Sequence, residues 1–218
     1  KELFQSKLNE IFSQKGEGWE EQILEKVCKI VNGYAFSSKD FSKENEVKAI
    51  KITNVGVNEF VFDDANNLPL SFLEKNRNVL VNEGDIVMAL TRTIIAAGLK
   101  VAIVPKEYNL SLLNQRVVAI KESKQLSTQF LYYFLSSTIA KNYVLNHVNT
   151  LMQPNLSIND LKNMPISLPS IEHQQILVTT LDELSSQTNF LKEKYKHKLT
   201  NLEELKKSIL EKAFKGEL

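Results

Sequence analysis

Several residue types that other protein classes need are scarce in this sequence. Its 218 residues include a single cysteine, Cys28, seven glycines and five prolines. One cysteine cannot form an internal disulfide and fits a reducing compartment, and we interpret Cys28 as a small core residue rather than a nucleophile. The lack of a long apolar run or a signal-peptide pattern predicts a cytoplasmic protein with no membrane partner. The chain opens with Lys1 rather than Met, which suggests a fragment of a longer protein.

Charge of one sign and catalytic motifs are also lacking. The formal net charge is only +1, so any grip on nucleic acid needs a local patch or a partner's charge. There is no glycine-rich nucleotide loop, no Pro-Pro of the kind found in base-methylating enzymes and no Pro-Asp of a common nuclease pattern. These absences predict no metal, no cofactor and no catalytic residue, and they favour a binding or scaffolding protein. The three histidines are scattered at His147, His173 and His197.

The C-terminal stretch from Pro169 to Leu218 organises the rest of the chain. Pro169 and Ser170 predict a helix start, because proline cannot continue a preceding ladder and serine caps the first amides. A helix from Ser170 to Phe214 would be about 65 Å long, which exceeds the needs of a small core and favours a spacer or pairing surface. Apolar residues follow a heptad seam with two interruptions. The predicted pairing residues are Leu177, Leu181, Leu184, Leu191, Tyr195, Leu202, Leu205 and Ile209.

A predicted helix from Lys1 to Gln14 shares a pattern with the end of the chain. Its apolar face is Leu3, Phe4, Leu8, Ile11 and Phe12, and the glycines that follow it predict a change of direction. Matches at a constant offset of 202 residues suggest that one repeat unit begins where the last ended, although chance similarity between apolar helices is the alternative. The matched residues are Leu3, Ser6, Leu8 and Phe12 with Leu205, Ser208, Leu210 and Phe214.

The middle of the chain changes to short β-branched runs and then returns to helix. Gly98 predicts a bulge or hairpin, and long polar loops at 36–46 and 62–78 are candidate recognition loops. A helix capped by Ser127 follows, then a polar loop at 149–157 and a short helix from Ser157. The predicted strands are 47–52, 79–81, 85–90, 101–104 and 116–120. The buried face of the helix after Ser127 is Phe130, Leu131, Phe134, Leu135, Ile139 and Tyr143.

Five segments of the chain form a set that identifies a family. They are Trp19-Glu20-Glu21 through Gly33, Gly84-Asp85-Ile86-Val87, Asn114-Gln115-Arg116-Val117, Ile166 through Gln174, and Lys207 through Leu218. Together they resemble the DNA-specificity subunit of type I restriction-modification systems, and the two C-terminal segments are the most specific. One departure is His173, where that family usually has Glu before Gln.

The resemblance implies an α+β fold, in which a mostly β target-recognition domain with packed helices precedes a long helix that pairs as an antiparallel coiled coil. It implies three parts: residues 1–15 as the tail of a preceding conserved helix, 16–168 as the target-recognition domain, and 169–218 as the conserved helix. The implied partners are double-stranded DNA, methylation subunits that carry S-adenosylmethionine, and indirectly the restriction subunit. A lone half could also pair with a second copy as a homodimer.

We expect polar and basic loop residues of the domain to contact DNA. Arg92 interests us most among them, since arginine can donate two hydrogen bonds to the major-groove edge of guanine. We interpret Asn114 and Gln115 as structural amides. The predicted DNA-binding residues are Lys39, Lys43, Arg77, Thr91, Arg92, Thr93, Asn149, Thr150, Gln153 and Asn155. Two alternatives stay open: a coiled-coil adaptor whose β domain binds protein, and a self-sufficient nuclease or methyltransferase.

Overall fold

The computed structural model describes residues 2–14, 16, 18–63, 65–148 and 154–216. The helices are α1 (Glu2–Ser13), α2 (Leu24–Val27), α3 (Ser71–Lys75), α4 (Thr128–Leu135), α5 (Thr138–His147), α6 (Ile158–Lys162) and α7 (Ile171–Lys215). The strands are β1 (Glu20–Ile23), β2 (Lys29–Asn32), β3 (Val47–Ile50), β4 (Asn67–Leu68), β5 (Leu80–Val81), β6 (Ile86–Ala89), β7 (Ile94–Ile95), β8 (Gly98–Leu99), β9 (Val101–Ile103), β10 (Ser111–Leu113), β11 (Val117–Lys121) and β12 (Pro165–Leu168).

A four-stranded antiparallel sheet, in the order β2-β11-β6-β9, lies at the centre of the molecule. Because successive side chains on a strand point to opposite faces, β6 and β11 divide their residues between two apolar cores. Ile86, Met88 and Val118 face the helices, while Val87 and Ala119 face a second sheet. All four residues of β6 are buried, which explains why this strand is apolar throughout rather than alternating.

The second sheet, in the order β4-β3-β10-β5, covers one face of the central sheet. Its strands β3 and β10 run parallel and both end toward Asn114, whose backbone N–H donates to the carbonyl of Ile50 at 2.9 Å. Gly33 lies close by, at the end of β2. A Cβ there would lie 2.0 Å from the carbonyl oxygen of Asn114, so only glycine allows this approach of two backbones.

Helices α1, α4, α5 and the start of α7 form the layer on the opposite face. Phe12 of α1 packs against Phe130 and Phe134 with ring centroids 5.1 Å and 5.6 Å away. The side chain of Asn9 accepts a hydrogen bond from the backbone N–H of Thr138 at 3.0 Å and so satisfies an amide at the start of α5. The N-terminal helix is therefore part of the domain core.

Strands β1 and β12 pair in antiparallel fashion, with Glu20 opposite Leu168 and Ile23 opposite Pro165. One of these strands follows α1 and the other precedes α7. The chain therefore enters and leaves the β domain side by side.

The strands predicted at 47–52, 85–90, 101–104 and 116–120 are present with bounds shifted by a few residues, and Gly98 lies in the β7–β8 hairpin. Helix α7 begins and ends within a residue of its predicted bounds, with the Ser170 side chain accepting from the N–H of His173. Helix α6 begins after Ser157 as predicted. Strands β1, β2, β4 and β10 were not predicted. The strand predicted at 79–81 is present as β5, which begins one residue later because Val79 ends a 3₁₀ turn.

Two helix predictions need correction. The single helix predicted after Ser127 is broken at Ser136 and Ser137 into α4 and α5, because Ser137 caps α5 by accepting from the N–H of Ala140. Helix α4 does begin after Ser127 as predicted, but the Ser127 side chain makes no capping hydrogen bond, so the predicted reason for this helix start is wrong. Leu3, placed on the buried face of α1, is 69% exposed, whereas Leu8 and Phe12 are buried.

Candidate nucleic-acid interface

The turn of Thr91, Arg92 and Thr93 follows β6 and packs against the segment before α6. The N–H of Arg92 donates to the side-chain oxygen of Asn155 at 3.3 Å, and the N–H of Thr93 donates to the carbonyl of Pro154 at 3.0 Å. Arg92 has a φ of 50°, a left-handed conformation that is uncommon outside glycine and asparagine. The structure therefore brings the predicted residues Thr91, Arg92 and Asn155 together.

A second turn lies directly beside the first. Leu90, at the end of β6, donates its N–H to the carbonyl of Arg116 at 2.8 Å, and this extends the pairing of Ala89 with Val117 by one residue. Arg116 also has a positive φ, 69°. The side-chain oxygen of buried Asn114 accepts from the N–H of Gln115 at 2.9 Å, so the Asn114 amide holds the turn as interpreted from the sequence. The side chain of Gln115, which was interpreted in the same way, is exposed.

Lys100 adds a third positive charge at this end of the central sheet. Its N–H donates to the carbonyl of Thr93 at 2.8 Å, and its Nζ donates to the carbonyl of Ile52 at 2.8 Å. Partial burial, and then the positive charge of Arg92, lower the pKa of the Lys100 ammonium. We call the exposed and half-buried side chains here the sheet-end surface; they are Tyr34, Arg92, Lys100, Gln115, Arg116 and Asn155.

The sheet-end surface carries three basic side chains, those of Arg92, Arg116 and Lys100. Neither Arg92, Arg116 nor Lys100 forms an ion pair with an acidic residue in the part of the chain that the structure describes. Three cations held together without such carboxylates favour an anionic ligand, and phosphates and base edges of nucleic acid have acceptors of this kind.

The other predicted DNA contacts are more dispersed. Lys39 and Lys43 are exposed on the segment beside β4, away from the two turns in sequence, and Arg77 lines a groove with Leu70 and Leu110. Asn149, Thr150 and Gln153 lie outside the described residues. The prediction for Thr93 disagrees with its placement, because its side chain is fully buried beneath the turn and does not reach the surface.

The predicted pairing seam of α7 divides into two parts. Leu181 is fully buried and Leu177 packs on the same core, so these two residues hold the helix to its own domain, and Leu184 is half-buried. From Asn189 to Gly216 every residue is exposed over about 40 Å of helix. The large exposed apolar residues there are Phe190, Leu191, Tyr195, Leu199, Leu202, Leu205, Ile209, Leu210 and Phe214.

Arg116 and Lys100 were not among the residues predicted to contact DNA. The signal in the sequence was the polar segment Asn114-Gln115-Arg116 between two β-branched runs, which is typical of a turn at a sheet end. Its position beside Arg92 depends on the pairing of β6 with β11, which are about 30 residues apart, and the sequence does not reveal that pairing.

Other kinds of site are not found in the described ranges. No helix there is long and apolar enough to cross a membrane. No three His, Cys, Asp or Glu side chains within those ranges are grouped to hold a metal ion. Cys28 is buried with its thiol donating to the carbonyl of Leu24, and burial raises its pKa to about 12, which agrees with a core role.

A layered α+β domain that carries a long exposed helix is the class that the structure defines. Residues 16–201 match the family described as the type I restriction modification DNA specificity domain, and the chain belongs to this family.

Curated relatives align with this chain over most of its length. It is 32% identical over 203 residues to the type I restriction enzyme MjaVIII specificity subunit of Methanocaldococcus jannaschii, covering 93% of this chain and 47% of that protein. It is 24% identical over 204 residues to the EcoBI specificity subunit of Escherichia coli, covering 93% and 42%. The chain thus spans about half the length of the curated relatives it matches.

Solved structures give the same fold. A chain from a structure described as showing complex assembly and conformational transition of the type I R-M system superposes with a TM-score of 0.76 at 21% identity, covering 99% of this chain and 52% of that one. The HsdS subunit from Thermoanaerobacter tengcongensis gives a TM-score of 0.64 at 23% identity, covering 99% and 51%.

Proposed function

We propose that this chain recognises one half of a bipartite DNA target for a type I restriction-modification complex. The observation that carries the proposal is the sheet-end surface, where Arg92, Arg116 and Lys100 lie together in a member of the DNA specificity family. Arg92 donates two hydrogen bonds to a guanine edge, and Lys100 contacts a phosphate. Thr91 and Asn155 lie beside them, while the predicted contacts of Lys39, Lys43 and Arg77 belong to the periphery of the same complex.

In this proposal, partner subunits and not this chain catalyse the reactions on DNA. The chain is not an enzyme and needs no cofactor; the methylation subunits that dock on it bring S-adenosylmethionine and methylate the DNA, and the restriction subunit joins through them. Since the chain's net charge is +1, those partners supply much of the contact with phosphates. The complex works in the cytoplasm, where the DNA is.

A homodimer completes the target in this proposal. The exposed part of α7 pairs antiparallel with a second copy, and Leu191, Leu202 and Ile209 lie in the interface. The repeat supports this arrangement: Leu8 and Phe12 of α1 are buried in the domain core, whereas their counterparts Leu210 and Phe214 are 48% and 90% exposed. The C-terminal copy of the pattern packs on the second domain, and the dimer reads two halves of a palindromic split site.

The test is to express the chain with a methylation subunit and to map methylated bases across the host DNA. We expect a split palindromic motif. A split asymmetric motif would mean that a different second domain completes the target, which would rule out the homodimer and keep DNA recognition. A stable complex that leaves no sequence-specific methylation would contradict the proposal, and a chain that binds neither DNA nor the methylation subunit would favour the adaptor.

A further inference from the structure

Arg116 occupies a turn position that usually takes glycine. The N–H of Val117 donates to the carbonyl of Asn114 at 3.3 Å, so Arg116 is the third residue of a four-residue turn, and its φ is 69°. Turns with a positive φ at this position favour glycine or asparagine, because an L side chain is strained there. Local propensity therefore does not explain an arginine at this position.

The backbone of this turn is held firmly from three sides. Leu90 donates to the carbonyl of Arg116, Gln115 donates to the carbonyl of Tyr34 at 2.8 Å, and the Asn114 side chain accepts from Gln115. The Arg116 side chain is exposed above these fixed groups and forms no ion pair with a described acidic residue. A charged group on a rigid backbone is suited to a contact that demands orientation.

Arg92 and Arg116 are also neighbours in space. Arg116 is directly across from Leu90, and Arg92 follows two residues later, so strand geometry limits the two Cα atoms to about 12 Å apart. Both side chains are long. Two arginines whose Cα atoms are this close suit two nearby base pairs of one half-site rather than two separate halves.

We propose that Arg116 is a second specificity-determining residue, which reads a base edge close to the one read by Arg92. The inference rests on the proposed function and deepens it: the bound chemistry is the major-groove edge of guanine, whose two acceptors fit the two donors of a guanidinium. Lys100 cannot replace it, because its Nζ donates to Ile52 and a single ammonium lacks the planar pair of donors.

The test uses the full chain in complex with its methylation subunit. In Arg116→Gly, discrimination at one guanine-containing position of the half-site should fall roughly 5- to 150-fold, while the thermal midpoint of the complex stays equal or rises, since glycine adopts the positive φ without strain. Arg116→Lys keeps the charge but should lose the same discrimination. The matched control is Leu110→Gly: Leu110 also has a positive φ, 60°, and is exposed, yet the motif should be unchanged.

Each of the other possible results of this experiment would overturn the inference about Arg116. An unchanged motif in Arg116→Gly would overturn the inference and leave the proposed function intact. A uniform loss of methylation at all sequences, or full discrimination in Arg116→Lys, would assign Arg116 to phosphate and overturn it as well. A wild-type complex without any split motif would refute the proposed function and the inference with it.

Discussion

At the scale of single residues, Gln174 gives a physical reason why the segment from Ile166 to Gln174, which leads into α7, is characteristic of the family. Its side chain is fully buried and satisfies three backbone groups: it donates to the carbonyls of Gln125 and Pro169 at 2.8 Å and 3.1 Å, and it accepts from the N–H of Ser127 at 2.9 Å. No other uncharged side chain of this size both donates and accepts in this way. The neighbouring His173, where the family usually has Glu, is exposed and contacts the ring of Trp19 at a centroid distance of 6.4 Å, so the departure there does not involve the buried amide of Gln174.

Replacing Gln174 by Leu should destabilise the chain by roughly 2–5 kcal/mol, because several buried backbone groups lose their partners. Denaturant unfolding followed by circular dichroism measures the change. Gln175→Ala, one residue away on the exposed side, should shift stability by less than about 0.5 kcal/mol. Equal effects of the two substitutions would show that the buried amide is not what stabilises the entry to α7.

Cys28 gives a pH-dependent prediction at the same scale. Burial raises its thiol pKa from 9.0 to about 12, so the native protein should not react with a disulfide reagent at pH 8 until denaturant is added. The folded state holds this proton more tightly than the unfolded state. Its contribution to stability is therefore complete below pH 9 and is lost as the pH rises from 9 to 12. Rapid labelling of the folded chain at pH 8 would contradict the burial.

At the scale of elements, α7 serves two environments. Its first turns bury Gln174, Val178 and Leu181, and the hydroxyl of Tyr133 on α4 donates to the carboxylate of Asp182. From Asn189 onward every described residue of α7 is exposed, so this part of the helix needs a partner for its apolar strip.

Ending the chain at Thr188 should remove self-association and leave the unfolding transition of the domain nearly unchanged, because the residues beyond it are exposed. Analytical ultracentrifugation and thermal unfolding measure the two effects. In the full chain, Leu202→Glu should weaken the proposed dimer, whereas Thr200→Glu, which adds the same charge off the seam, should not. A truncated chain that still dimerises would place the interface elsewhere.

Sequence patterns predicted helices and strands well where the signal lies within the element itself. The seam of α7 and the apolar runs of β6 and β11 are periodic over enough residues to be recognised. Strands β1, β4 and β10 are short and lack that signal, because partners distant in sequence create them. Arg92 was recognised as a turn residue from local sequence, whereas its position near Arg116 depends on the register of β6 and β11. At the break before α5 the Ser137 cap is local, but the Asn9 side chain that accepts from the N–H of Thr138 lies more than 120 residues away.

At the scale of the whole molecule, the net charge of +1 predicts how binding to DNA depends on salt. The chain alone should bind DNA weakly, with a salt slope that reflects the few cations of the sheet-end surface, and adding the methylation subunit should steepen the slope. Titrations by fluorescence anisotropy between about 50 and 200 mM salt give both slopes. A chain that alone matches the slope of the complex would show that its partners add no phosphate contacts.

The pairing of β1 with β12 has an evolutionary consequence. Because the chain enters and leaves the β domain through adjacent strands, with Glu20 opposite Leu168, the segment from β1 to β12 is a cassette between two helical segments that pack on it. A recombination event with both crossovers at this strand pair would exchange the cassette and preserve the helical frame. Under the proposed function, new sequence preferences would then arise in one step, without re-evolving the surfaces of the two helical segments.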